Sequence, residues 1–227
     1  NVNQAIYTHA RAFYVSSYFN LLGAVDIDKE KQKLFNANYN LPAFSDLNIG
    51  LKELDPDLVI VATKTESHLK VIKSILEIKK PKVILCEKPL AESLNDSIEI
   101  VELCKNNNIR LYVNYIRRAD PGAIEIYNRI NNNLIKGPFN GVAWYSKGLL
   151  NNGSHLINIL EFWLGHVKGS SIISKGRLWN NEDPEPNFVM NFEHGNINFL
   201  AIPEENFSHY TIELIGANGI LNYNRGG

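Results

Sequence analysis

Two side chains in this 227-residue sequence could transfer a proton or hold a developing negative charge, Lys88 and His155. Lys88 follows the apolar run 82–86 within Cys86-Glu87-Lys88-Pro89-Leu90, and the proline fixes the backbone beyond it. A cation held there can stabilise an alkoxide or depress the pKa of a substrate hydroxyl. His155 closes the segment Gly148-Leu149-Leu150-Asn151-Asn152-Gly153-Ser154-His155 and opens a strongly apolar stretch. A neutral imidazole near pH 7 is the default base for taking a hydroxyl proton. Asn151 lies four residues earlier, so an early helical turn brings both onto one face. Each residue also has a plainer reading, as a solvated loop lysine and as a histidine capping a buried helix.

Those residues need elements to position them. The apolar runs 21–25 and 58–62 read as strands buried on two faces, and 82–86 and 109–113 as two more of the same kind. Helical periodicity fills 67–78 and 93–107, with Ser93 and Asp96 as a capping box and Asn106-Asn107-Asn108 as a stop. Strand–helix alternation predicts a parallel sheet with right-handed crossovers, hence a doubly wound α/β domain of nucleotide-binding type over 1–118. In such a sheet ligands bind outside the carboxyl ends of the strands, where Asp26, Thr63, Glu87-Lys88-Pro89 and Asn114-Tyr115 fall. An acidic residue placed like Asp26 accepts hydrogen bonds from ribose hydroxyls and repels a 2′-phosphate, which favours NAD over NADP. His68, in the helix after Thr63, could face the same ligand, whereas His166, His194 and His209 have turn or strand settings.

The pattern changes across 118–122. A helix over 123–130, a strand over 141–145, an apolar helix ending at Gly165 and several later strands, with turns at 193–196 and 217–219, predict an α+β domain over 119–227. Trp144 and Trp163 are expected in its core. Ile197, Phe199, Ala201, Ile212, Leu214 and Ile220 alternate with polar neighbours, so one sheet face is expected to be covered in part by a second subunit, as a homodimer or homotetramer.

Composition narrows the chemistry further. Twenty-three basic against 24 acidic residues leave a net charge of -1, which argues against a nucleic-acid footprint or a charge-driven membrane anchor. No apolar run reaches the roughly 18 residues of a membrane span, and the order of residues in 1–13 is not that of a signal peptide, so a soluble, cytoplasmic protein is expected. Cys86 and Cys104 lie in apolar runs and are expected as buried, reduced thiols. No histidine pair has metal-ligand spacing, so no metal is expected. Neither a Gly-x-Ser-x-Gly elbow nor a Walker-type loop is present, against hydrolase and phosphotransferase readings.

Taken in order and spacing, Asp26, Ala62-Thr63 with His68, Cys86-Glu87-Lys88-Pro89-Leu90 and the 149–155 segment resemble the Gfo/Idh/MocA oxidoreductases, which include glucose-fructose oxidoreductase and inositol dehydrogenase. The resemblance runs from about Thr8 to the last residue. It implies an N-terminal NAD- or NADP-binding Rossmann domain and a C-terminal α+β domain with an open, largely antiparallel sheet that carries substrate and subunit contacts. By position, Lys88 resembles the catalytic lysine and His155 the proton-transfer histidine. Thr63, His68, Glu87 and Asn114 resemble cofactor contacts beside Asp26. Tyr115, Arg117, Lys147 and Asn151 are the candidate contacts for a carbohydrate substrate.

Two departures qualify the match. Asn151 stands where the family usually has aspartate, although some sugar-nucleotide members resemble this chain there; an amide cannot act as a base, so Asn151 can only orient substrate. The family's first strand and its Gly-x-Gly-x-x-Gly turn are not found, since the sequence opens at Asn1-Val2-Asn3 about where that turn would finish, and it closes at Gly226-Gly227 with the second domain expected to be incomplete. The reading is an NAD-dependent oxidoreductase of a sugar or nucleotide-sugar secondary alcohol. A non-catalytic nucleotide-binding or regulatory protein, or a reductase of a non-sugar carbonyl or imine, are its alternatives.

Overall fold

The computed structural model describes residues 6–224. Asn1-Val2-Asn3 and Gly226-Gly227, on which the interrupted turn and the incomplete end were read, lie outside the described residues. Two compact units divide the chain, Asn1–Asn114 and Tyr115–Gly227, slightly ahead of the 118/119 boundary expected from the sequence. The difference comes from the short turn Ile116–Ala119, which packs on helices of the second unit.

The first unit runs α1 (His9–Val15), β1 (Ala24–Val25), α2 (Lys29–Tyr39), β2 (Ala43–Phe44), α3 (Leu47–Leu54), β3 (Leu58–Val61), α4 (His68–Ile78), β4 (Val83–Cys86), α5 (Leu94–Asn106) and β5 (Arg110–Val113). All strand pairings are parallel, as expected, but the strands form two sheets rather than one: β1–β2, and β3–β4–β5. Burial on both faces also fails for part of the set. Val25 in β1 is exposed, and in β5 Arg110 and Tyr112 are exposed while Leu111 and Val113 are half-buried, so one face of that strand is open to solvent. Ser93 caps α5 as predicted, its hydroxyl accepting the Asp96 amide at 3.0 Å. Gly50 lets α3 lie close on β1, since a Cβ there would stand 2.6 Å from Val25 Cγ2. Apolar residues of α3, α4 and α5, among them Leu51, Ile72, Ile75 and Ile100, bury Val61, Ile84 and Cys86 of the three-stranded sheet.

Cys86 and Cys104 are free thiols inside that core. Burial pushes Cys86 up to about 12 and raises Cys104 as well. Only the thiolate attacks alkylating agents. Both should therefore resist iodoacetamide in the folded protein and react after denaturation, as mass spectrometry of the labelled peptides would show. Rapid labelling of the native protein would contradict this burial.

The second unit comprises α6 (Pro121–Asn131), β6 (Phe139–Tyr145), α7 (Ser154–Leu164), β7 (Val167–Ser174), β8 (Leu178–Trp179), β9 (Asp183–Pro184), β10 (Asn187–Phe192), β11 (Gly195–Ala201), β12 (Tyr210–Ile215) and β13 (Ile220–Asn224). Six strands make one sheet in the order β13-β12-β6-β11-β10-β7, antiparallel except for β6 with β11. The alternating apolar residues point to one face, and α6 and α7 cover it with Ala123, Ile126, Leu156, Ile159, Leu160 and Trp163.

The cover expected from a second subunit is supplied instead by the chain's own helices. Ile197, Phe199, Ile212 and Leu214 are fully buried against α6 and α7, so they present nothing for another copy to cover. Ile220 is exposed on the opposite side of that alternation. Trp163 fills the core as expected, its indole donating to the Ala123 carbonyl at 2.8 Å. Trp144 does not; it is half-buried, edge-on to His209.

Candidate active site

In the first unit a carboxylate organises the residues beyond β4. Glu87 Oε1 accepts from Asn114 Nδ2 at 2.8 Å and lies 2.7 Å from His9 Nε2, while Oε2 accepts the Lys88 amide at 3.2 Å. Burial alone would raise the Glu87 pKa, but the bonds from Asn114, His9 and the Lys88 amide outweigh it and hold the carboxyl below its usual range. A stretch that must place a lysine is thus braced by an anion bonded to α1, to the end of β5 and to the lysine's own backbone. His9 was not singled out from the sequence, because no strand or motif around it marked a site.

Thr63 follows β3, its hydroxyl accepting from Ser67 Oγ at 2.8 Å. His68 is fully buried, with Nε2 3.0 Å from the Thr63 carbonyl and Nδ1 3.1 Å from the Leu90 carbonyl. That arrangement gives His68 a structural task, tying the loop after β3 to the loop after β4, in place of the cofactor contact implied by the resemblance. Asp26 follows β1, and its Oδ1 accepts the Asp28 amide at 2.9 Å. A carboxylate accepts several hydrogen bonds, so this turn leaves Asp26 able to take ribose hydroxyls. The residues at the carboxyl ends of β1, β3, β4 and β5 therefore fit a dinucleotide, with Asp26, Thr63, Glu87 and Asn114 as the groups that would hold it.

The second unit holds the histidine. Lys147 and Gly148 take left-handed backbone angles (φ 68° and 79°) and turn the chain from β6 into a wide helical turn, Gly148–Gly153, that runs directly into α7. His155 is only 7% exposed at the start of that helix. The Tyr115 ring meets it edge-on, centroids 5.6 Å apart, and burial raises the Tyr115 phenol while a hydrogen bond with Ser154 opposes the rise. Asn151 lies in the turn that runs into the helix bearing His155. Lys147 is paired with Glu204, Nζ to Oε1 3.7 Å, and Arg117 lies 4.7 Å over the Tyr210 ring. Those two cations are held by protein partners, and Arg117 is directed to β12.

Two residues not singled out from the sequence, Asp183 and Glu185, complete this part. Asp183 Oδ1 accepts the Leu150 amide at 2.9 Å and Oδ2 the Asn151 amide at 2.8 Å, and Glu185 Oε1 accepts the Gly148 amide at 3.1 Å. A side chain on Gly148 would collide with the Asp183 carboxylate. Two weak hints could have revealed them: the Asn180-Asn181 pair, which takes the left-handed angles of a hairpin turn, and the spacing of two between Asp183 and Glu185, which places both on one side of an extended segment. Among the described residues, no group of three or more histidines, cysteines or carboxylates could hold a metal ion, and no helix is long and apolar enough to cross a membrane.

Parallel strands with an acidic residue after the first, and a loop after another braced by a carboxylate, are the features of a Rossmann-type dinucleotide-binding domain. The chain belongs to the Gfo/Idh/MocA oxidoreductase family, with its NAD-binding Rossmann fold, and the family model matches residues 2–115, half of the chain. Among curated proteins it is similar to the oxidoreductase YrbE of Bacillus subtilis, 32% identical over 94 residues, which are 41% of this chain and 27% of that protein. An inositol 2-dehydrogenase of Salmonella typhimurium is 28% identical over 96 residues, 42% of this chain and 28% of the relative. These matched stretches span little more than a quarter of the relatives' length. Among solved structures it resembles the WlbA dehydrogenase of Bordetella pertussis, determined with NADH and UDP-GlcNAcA, with a TM-score of 0.81 at 16% identity over 96% of this chain and 70% of that one. A putative myo-inositol dehydrogenase of Sinorhizobium meliloti gives 0.77 at 16% identity, over 95% and 71%. At these identities the likeness is one of fold.

Proposed function

We propose that this chain supplies the cofactor and substrate residues of an NAD-dependent oxidoreductase acting on a secondary alcohol of a sugar or sugar nucleotide. The observation that carries the reading is the buried His155 at the start of α7, against Tyr115 and on one continuous helical run with Asn151. Bound NAD supplies the hydride acceptor. In the oxidising direction His155 takes the hydroxyl proton, Lys88 stabilises the oxygen as its negative charge develops, and Asn151 orients the substrate through its amide. The carbohydrate class is supported by a relative named inositol 2-dehydrogenase and by a structural neighbour determined with UDP-GlcNAcA.

The test is NADH formation by the purified protein against inositols, UDP-sugars and hydroxy acids, with NAD affinity measured alongside. Turnover of a polyol or sugar nucleotide is expected. NAD binding without turnover of any of them would replace this reading with a non-catalytic nucleotide-binding protein, and turnover confined to hydroxy acids would move the substrate class.

The cofactor choice follows from Asp26, where a 2′-phosphate meets a like charge. NAD should bind more tightly than NADP by about 1–3 kcal/mol. Calorimetric titration with each dinucleotide checks this, and equal affinities would remove Asp26 from that role.

A further inference from the structure

We propose that Asp183 and Glu185, with Arg177 behind them, are positioning residues that set the height and orientation of the turn bearing Asn151 and His155. The proposal rests on the reading of His155 as the proton acceptor and names what holds it in place.

The first turn of a helical segment leaves amides without intrahelical partners and gathers positive partial charge. Here three of those amides, Gly148, Leu150 and Asn151, are met by two carboxylates arriving from a different part of the chain. The donors are neutral and the acceptors charged, which makes each bond stronger than a bond between neutral groups. Asp183 engages two amides at once, so it restrains both the translation and the tilt of the turn. His155 is rigidly connected to that turn by the run from Gly148–Gly153 into Ser154–Leu164.

The carboxylates are themselves fixed. Glu185 is 3% exposed, and Arg177 Nε donates to its Oε2 at 2.7 Å. The same guanidinium reaches Glu205 from Nη1 at 2.9 Å, so one cation bridges two acids. A buried carboxylate without such a partner would be strongly unfavourable. Asp183 is carried by the β8–β9 hairpin, where Leu178 pairs with Pro184 and Trp179 with Asp183. Trp179 Nε1 donates to Glu204 Oε2 at 2.7 Å, and Glu204 also pairs with Lys147, the residue that starts the turn. The hairpin thus grips the turn at its entry and along its first residues. Capping any one of these amides would add stability; two bonds from one carboxylate to neighbouring amides also fix the turn's orientation.

The experiment compares Asp183→Ala and Asp183→Asn with the unaltered chain in three measurements. Amide exchange at Leu150 and Asn151, with the His155 ring resonances, reads the placement directly by NMR. NAD affinity reads the integrity of the first unit, and kcat with KM reads function on whichever substrate the panel identifies. Asp183→Ala should accelerate exchange at both amides, move the His155 resonances and lower kcat by roughly tenfold to a hundredfold, with a smaller change in KM and none in NAD affinity. Asp183→Asn keeps one acceptor oxygen and should fall between. Unchanged His155 resonances and native exchange in Asp183→Ala would overturn the proposal, as would loss of NAD binding by both variants, which would mark Asp183 as a support of the whole fold. If the unaltered chain turns over no substrate, the functional reading fails by itself, and the NMR comparison still decides whether Asp183 places His155.

Discussion

Replacing His155 by alanine should lower kcat by about two to four powers of ten, the range for removing a general base. The imidazole is almost wholly buried, at a fixed height set by the turn before it and edge-on to Tyr115, so bulk water cannot take its place with the same geometry. NAD affinity should stay close to its original value, because the residues that fit the cofactor belong to the first unit. Steady-state kinetics on the identified substrate, with NAD titration of the same preparation, make the comparison. Turnover near the original rate would reduce His155 to a helix-start residue and end the proposed chemistry.

Lys88→Ala should be comparably damaging, since removing one preorganised stabiliser of a developing oxyanion costs about two to three powers of ten. Lys88 owes its placement to Glu87, whose carboxylate accepts the lysine's own amide while bound to Asn114 and close to His9. If both residues serve one proton transfer, the double variant should be scarcely slower than either single one, because the second loss removes help to a step already disabled. Losses that multiply would assign the two residues to separate steps.

Much of this arrangement was legible because it follows apolar runs. Short stretches rich in valine, isoleucine and leucine, parted by helix-sized intervals, are the mark of strands buried in a parallel sheet. The stretches 58–61, 83–86 and 110–113 became β3, β4 and β5, with Thr63, Glu87 and Asn114 just beyond them. Helical periodicity over 67–78 and 93–107 likewise became α4 and α5, whereas α1, α2, β2 and α3 were not read from the sequence. Helix α2 buries no residue, so it has no apolar stripe to betray it; its mark is the Asp28 cap, which accepts from Glu30 and Lys31. The second sheet was recognised by alternation, but alternation cannot say what covers the apolar side, and two helices of the same chain did. Asp183 and Glu185 escaped because a two-residue strand is too short for any pattern. Their importance arises from what they touch across 33 positions of sequence, from residue 150 to residue 183.

The parallel pairing of β6 with β11 sets the order in which this unit can assemble during synthesis. The strand at the middle of the sheet, Phe139–Tyr145, is made early, yet its neighbours are Gly195–Ala201 on one side and Tyr210–Ile215 on the other. Until the ribosome has released those segments, α7 carries Leu156, Ile159, Leu160 and Trp163 with no sheet to lie against. Non-local closure of this kind is slow and leaves sticky surface waiting. The nascent chain thus passes through an interval in which its most apolar helix is finished and its cover is not, the stage at which a chaperone would engage it and at which substitutions in the late strands would act on yield rather than on rate of turnover.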